Sequence, residues 1–352
     1  MLARRTLLIV IVAFGAGLWM KDPVAAPVPS AASTATIPLA ILKQHAATGD
    51  PSAEVALAQR LIDSNDSADK TEAEALFRKA AAQGNADAEW ALGSAYLLGY
   101  WPGVEKNVPI GLAWLRKSLA NGSADHMANY GFALDSWGLH THNDEAMKAG
   151  VQWIQRAANA GSTQGMNMLG IILLGGNFGA NTPDKNDAEH WLLKAARLGN
   201  ADAQVSLGQM YVVGTFGKPD VKAGLHWLRV AAEQGNVAAE GLLGYLLVSG
   251  DKHVPRNPPE GLQWAEKAVA KHGAGGYYAK GYAYQNGDGE PVDPSKAWYN
   301  FAAAQRVDIK HQFDKVGDHL SAVAAQLSPA QIERLQVEVS KIPMPGQPSL
   351  FD

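Results

Sequence analysis

The sequence predicts an all-α protein, a right-handed α-solenoid of about seven antiparallel helix pairs closed by a C-terminal helical cap. Three observations carry this. Trp114, Trp153, Trp191, Trp227, Trp264 and Trp298 recur at intervals of 39, 38, 36, 37 and 34 residues. Gly93, Gly131, Gly170, Gly208, Gly244 and Gly281 recur beside them with nearly the same period. Between the markers, apolar residues fall at helical spacing, as Ala88, Leu92, Ala95 and Tyr96 do, with no alternating strand pattern. A chain of 352 residues would ordinarily suggest two domains, but a helix pair of this size cannot bury its apolar face alone. The repeats are therefore expected to stack into one elongated array.

The elements follow in chain order. Arg4 and Arg5 precede Thr6 to Met20, a run without charge whose fifteen residues make a helix of roughly 22 Å, short of a hydrocarbon core of about 30 Å. Residues 1–22 are expected to be a signal peptide, or an N-terminal membrane anchor if uncleaved, that places the body in the periplasm. Residues 23–38, rich in Pro, Ala and Ser, read as a linker. The array occupies 39–305. Its first copy, from Ala53, has Ala58 and Leu76 where later copies have the marker Gly and Trp. A glycine in mid-helix costs about 1 kcal/mol, so one at the same place in six units marks a close approach of two helix backbones. Gly84, Gly122, Gly161, Gly199 and Gly235 instead follow the second helices, where a left-handed conformation is expected. The third unit departs, with His126 and Leu134 at motif positions and no glycine loop in its inter-helix segment from Trp137 to Gly150. Residues 306–352 form the cap and tail: one helix over 306–326, then a second opened by the capping motif Ser328, Pro329 and Gln331.

The unit reads Ala-x-x-x-Leu-Gly-x-x-Tyr on the first helix, a glycine-containing loop, then Lys-Ala-x-x-Trp and Ala-Ala-x-x-Gly. Residues 200–211 (NADAQVSLGQMY) and 286–298 (NGDGEPVDPSKAW) show it best. This pattern resembles the Sel-one-like repeat family, a relative of the tetratricopeptide repeats, over roughly residues 39–305. The resemblance implies a protein-binding adaptor and no enzyme. Among exported bacterial members it implies either a periplasmic immunity protein that blocks a lipase or phospholipase toxin of the type VI secretion system, or a negative regulator of envelope signalling.

The residues themselves supply little chemistry. Thirty basic against thirty-four acidic side chains give no electrostatic reason to bind nucleic acid. With no cysteine there is no disulfide, thiol nucleophile or cysteine zinc site. Gly214 to Lys218 ends in Pro219 where a phosphate loop needs Ser or Thr. Ser67 and Lys70 match the Ser-x-x-Lys of penicillin-binding enzymes without that motif's partners, leaving a serine hydrolase or β-lactam-binding enzyme as the weakest alternative. Residues 63–74 place oxygen ligands as a calcium loop does, but Ala68 stands at the glycine turn. Asp69 with Glu72 reads equally as a helix cap. His140 and His142 lack a third ligand beyond Asp144 and Glu145 and read as a solvated loop. No cofactor, metal or small-molecule substrate is expected.

Function is then expected on a surface. In related repeats the first helices line the concave side, and residues three before and one after the marker glycine share a helical face. With the loop aromatics, these give the candidate partner-binding residues Trp90, Ser94, Tyr100, Trp101, Phe132, Trp137, Asn167, Gln209, Tyr245, Tyr278 and Tyr282. Tyr and Trp are common interface anchors, so the expected partner is a protein, a secreted phospholipase-type toxin on the immunity reading. An envelope adaptor or signalling regulator is the alternative.

Overall fold

A computed structural model describes residues 37–62, 67–99, 101, 104–175, 184–308 and 315–343. The expected signal segment, and all but the last two residues of the linker, lie outside these. Among the described residues the regular structure is helical throughout, with seventeen α-helices and a short 3₁₀ turn at Asp251–His253. They gather into two compact units. The first holds α1 (Leu39–Ala47), α2 (Pro51–Ile62), α3 (Ser67–Ala82), α4 (Ala86–Leu98), α5 (Val108–Ser118), α6 (Ala124–Thr141), α7 (Asp144–Asn159) and α8 (Thr163–Gly175). The second holds α9 (Lys185–Arg197), α10 (Ala201–Val213), α11 (Val221–Glu233), α12 (Val237–Ser249), α13 (Pro258–Ala270), α14 (Ala274–Asn286), α15 (Pro294–Val307), α16 (Val316–Ala324) and α17 (Pro329–Ser340).

Helix starts are written in the sequence as Asn or Asp. Nine helices, among them α4 at Asn85, α10 at Asn200 and α12 at Asn236, begin with one whose side chain accepts from the backbone N–H three residues on. Each such cap is worth about 1 kcal/mol. The capping box of Ser328 and Gln331 opens α17 as its motif predicts. The loop inside a pair is closed by a recurring bond in which the N–H of the second helix's cap reaches a carbonyl three residues past the marker glycine. Asn107 reaches Tyr96 at 2.7 Å and Asp220 reaches Tyr211 at 2.8 Å.

The marker glycines do bring backbones together. A Cβ on Gly93 of α4 would lie 2.7 Å from Leu115 Cδ2 and 3.0 Å from the carbonyl oxygen of Gly111 on α5. Gly84, Gly161, Gly199 and Gly235 end second helices at φ between 80° and 97°, as expected. Gly122 does not adopt that conformation. It is glycine because a Cβ there would sit 2.3 Å from the Ser118 carbonyl oxygen.

Successive first helices are also stapled. Asn236 Nδ2, from the cap of α12, donates to Asp202 Oδ1 of α10 at 3.1 Å. Ser162 donates likewise to Asp125, and His126 Nε2 faces Asp87 Oδ1 at 3.3 Å. Three buried acids, Glu54, Glu89 and Glu240, are each met by a lysine from the second helix or its end: Lys79, Lys117 at 2.9 Å and Lys271 at 2.7 Å.

Three expectations need correction. Residues 137–150 are not an inter-helix loop, since α6 runs eighteen residues to Thr141 and Asn143 already caps α7. Trp298 is out of register. Trp114, Trp191, Trp227 and Trp264 stand seven residues after their helix caps, whereas Trp298 stands five after Asp293 and is buried. Finally, 306–326 is not one helix: α15 keeps Arg306 and Val307, and α16 begins at Val316.

Candidate functional site

The candidate residues divide by burial. Trp90 and Trp101 belong to the core of the first unit, with Trp101 stacked on Phe77 at 5.2 Å, so neither is a contact surface. Ser94, Asn167 and Tyr278 are buried as well. Asn167 is wholly enclosed, and neither polar atom of its side chain has a hydrogen-bond partner. The physical reason is shared. The position three before the marker glycine is buried in Trp90, Ala128, Asn167, Val205 and Tyr278, and in Gly241 and Tyr278 it meets the neighbouring first helix. The position one after it stays half-exposed in Phe132, Ile171, Gln209, Tyr245 and Tyr282, with Ser94 the exception. Trp137, on α6, is also half-buried. Tyr100 lies outside the described residues.

Three of the candidates meet. Gly241 of α12 and Gly275 of α14 touch backbone to backbone, a Cβ on Gly241 falling 2.8 Å from Gly275 Cα, and this approach sets the tyrosines of the two helices against one another. Tyr245 lies 5.2 Å from Tyr278 and 5.8 Å, edge to face, from Tyr282. Contacts of this kind are the preferred arrangement of aromatic rings. The cap completes the cluster through His319 of α16. Its imidazole stacks on Phe301 at 4.8 Å, meets Tyr278 and Tyr282 edgewise, and donates from Nδ1 to Gln285 Oε1 at 2.7 Å. His319 carried no signal in the sequence, because it follows the periodic part of the chain.

Burial governs the protonation of this cluster. It pushes the Tyr245 hydroxyl up to about 12, helped by the nearby Asp251 carboxylate, with Ser249 and Asp251 as hydrogen-bond partners. Burial raises Tyr278 too and lowers the His319 imidazole. At neutral pH the phenols are therefore protonated donors, suited to recognition and not to acting as bases. Beneath the cap a separate groove of about 470 Å³ is lined by Trp298, Leu320 and Val339 with Gln305, Arg306 and Gln336 at its polar side.

The described residues of the catalytic and metal-like motifs lie in or at the ends of helices. Ser67 and Lys70 open α3, Asp69 and Glu72 lie inside that helix and so do not cap it, and Glu74 pairs with Arg78. Residues 63–66 of the calcium-like stretch lie outside the described residues. Gly214 is the left-handed end of α10. His140 is helical, not in a loop, and His142 ends α6 in the left-handed region. Among the described residues no three His, Cys, Asp or Glu side chains are grouped to hold a metal ion.

The geometry of paired helices joined by glycine contacts has a counterpart among known families. The model of the Sel1 repeat matches residues 51–85, 86–123, 138–162, 163–200, 201–236, 237–272 and 275–304. The chain belongs to the Sel1 repeat family. Its third Sel1 repeat is matched only from 138, in keeping with the lengthened α6. A Sel1 repeat protein from Oxalobacter formigenes is similar in structure, with a TM-score of 0.52 and 26% identity over 64% of this chain and 89% of that one. The immunity protein PA5088 from Pseudomonas aeruginosa is similar at 17% identity and a TM-score of 0.41, over 68% of this chain and 82% of that one. Chitin synthase regulatory factor 3 of Schizosaccharomyces pombe is 33% identical over 164 residues, 44% of this chain and 18% of that protein. The chain thus spans about a fifth of that relative's length. Sel1 repeats are typically protein-interaction scaffolds.

Proposed function

We propose that the protein is a non-enzymatic, periplasmic protein-binding solenoid that inhibits a secreted toxin effector of the lipase or phospholipase type. The observation that carries the binding role is the tyrosine pair Tyr245 and Tyr282. Their half-exposed rings are fixed by the Gly241 and Gly275 contact beneath them, so little side-chain freedom is lost when a partner covers them. Rigid aromatic anchors of this sort dominate binding at protein interfaces. The toxin and the compartment rest on what membership of the family implies for an exported chain.

Titrating the full-length protein into purified lipase effectors of the type VI system, with hydrolysis as readout, tests this reading. Inhibition complete at one-to-one stoichiometry, and relieved by Tyr245→Ala with Tyr282→Ala, is the expected result. A stable complex without loss of hydrolysis makes the protein an adaptor. Turnover of a substrate by the protein alone, lost in Ser67→Ala, makes it a hydrolase.

A further inference from the structure

We infer that the groove under the cap, between α15 and α17, receives one large apolar side chain, aromatic by preference, from an extended and uncharged segment of the protein partner. This rests on the protein-binding reading and adds a second place of contact, with the chemistry of what it binds.

The groove follows from a departure in the repeat. Trp114 and Trp264, each seven residues after the cap of a second helix, lie against cores that the preceding second helix helps to build. Trp114 of α5 packs on the core holding Phe77 of α3, and Trp264 of α13 on the core holding Leu225 of α11. In α17 the place seven residues after Ser328 belongs to Leu335, which packs on the core holding Trp298 and Phe301 of α15. A leucine is smaller than the indole it replaces. Between the same two helices lies the open groove of about 470 Å³, with Trp298, Leu320 and Val339 as its apolar floor. Among the described residues no side chain fills it.

The rim indicates what carries the side chain that does. Gln305 of α15 and Gln336 of α17 stand exposed on the two helices that bound the groove. A glutamine amide offers the donor and acceptor of a peptide group, so the pair suits a backbone running over the groove on either side of an anchor residue. The charged member of the lining, Arg306, is engaged within the fold. Its Nε donates to the Ile342 carbonyl at 2.8 Å and its Nη2 to the Ser340 carbonyl at 3.0 Å. An ionised anchor would lose its water over an apolar floor, which is costly without a partner, so the anchor is uncharged. The same two bonds tie the end of α15 to the end of α17. A side chain from outside therefore enters a site whose walls are already held together, and little is lost in ordering it.

The test uses the full-length protein and three fluorescently labelled peptides, Gly-Ser-Gln-X-Gln-Ser-Gly, with X as tryptophan, alanine or aspartate. Fluorescence anisotropy is expected to show the tryptophan peptide binding at least tenfold more tightly than the other two, with little dependence on salt. Ala302→Phe, which sets a ring in the groove from a half-exposed helix position, is expected to remove at least tenfold of that affinity with helical circular dichroism unchanged. Gln305→Ala with Gln336→Ala, both at exposed positions, is expected to weaken binding several-fold. Equal binding of the tryptophan and alanine peptides overturns the inference, as does tryptophan-peptide binding unchanged in both variants. A tryptophan peptide that binds only after Leu350→Ser with Phe351→Ser makes residues of this chain the occupant and overturns it too. An effector inhibited equally by wild type and Ala302→Phe overturns it while the inhibitor reading stands. Absence of any inhibited effector removes that reading and leaves the peptide result in force.

Discussion

Asn236 caps α12 with its side-chain oxygen, which accepts from the Ala239 N–H, while its side-chain nitrogen donates to Asp202 of α10 at 3.1 Å. One residue therefore starts a helix and fastens it to the first helix of the preceding repeat. Asn236→Ala is expected to lose both bonds, about 2 kcal/mol, and Asp202→Ala only the second, about 1 kcal/mol. Urea denaturation of the two single variants and the double variant checks this, and strictly additive losses would mean that the staple contributes nothing.

Asp135 stands on α6 where the equivalent positions of other first helices hold Leu97, Val212 and Val248. Its Oδ1 is buried without a hydrogen bond, and burial pushes the carboxyl up to about 6 from 3.8. A carboxyl raised on folding binds its proton more tightly in the native state. Its contribution is favourable below the unfolded value and is lost as pH rises through about 6. Asp135→Asn is accordingly expected to be more stable than wild type at pH 8, by about 1–2 kcal/mol, and indistinguishable below pH about 4. Thermal unfolding across that range measures it, and a difference that persists in acid would contradict the assignment.

Lys271 reaches Glu240 at 2.7 Å and the Gly235 carbonyl at 3.0 Å, and the carboxylate is almost wholly buried. Lys271→Ala leaves that charge without compensation and is expected to cost about 3 kcal/mol. Adding Glu240→Gln should return most of the loss, which a two-by-two set of melting curves would show.

Gly93→Ala normally favours a helix by about 1 kcal/mol. Here the new methyl meets Leu115 and the Gly111 carbonyl at 2.7 to 3.0 Å, and the expected outcome is a loss of about 1–3 kcal/mol. Gly317→Ala, where nothing lies within 4 Å, is the control expected to show no such loss.

The repeats were legible because their markers have mechanical duties. Gly93 and its equivalents permit backbone contact, the outer Trp positions are half-buried in a fixed register, and the Asn or Asp caps set helix starts. What the sequence left hidden depends on neighbours. Whether residues such as Trp90 and Tyr245 face water is decided by their neighbours in the fold, which bury Trp90 in the core and leave Tyr245 half-exposed. Trp298 looks periodic by identity alone, but the cap at Asp293 shifts it by two residues and Phe301 fills the place of Leu115 against the marker glycine. His319 joins the tyrosines only through the closure of the cap on the array.

The cations over Trp114, Trp153, Trp191 and Trp264 also bear on how copies of this protein treat one another. Half-wetted indoles spaced along a repeat array would be an invitation to lateral clumping at high concentration. A lysine or arginine three residues on gives each indole a charged lid that a second molecule, bearing the same lids, meets with repulsion. Each lid is thereby expected to keep its own indole from sticking to a second copy.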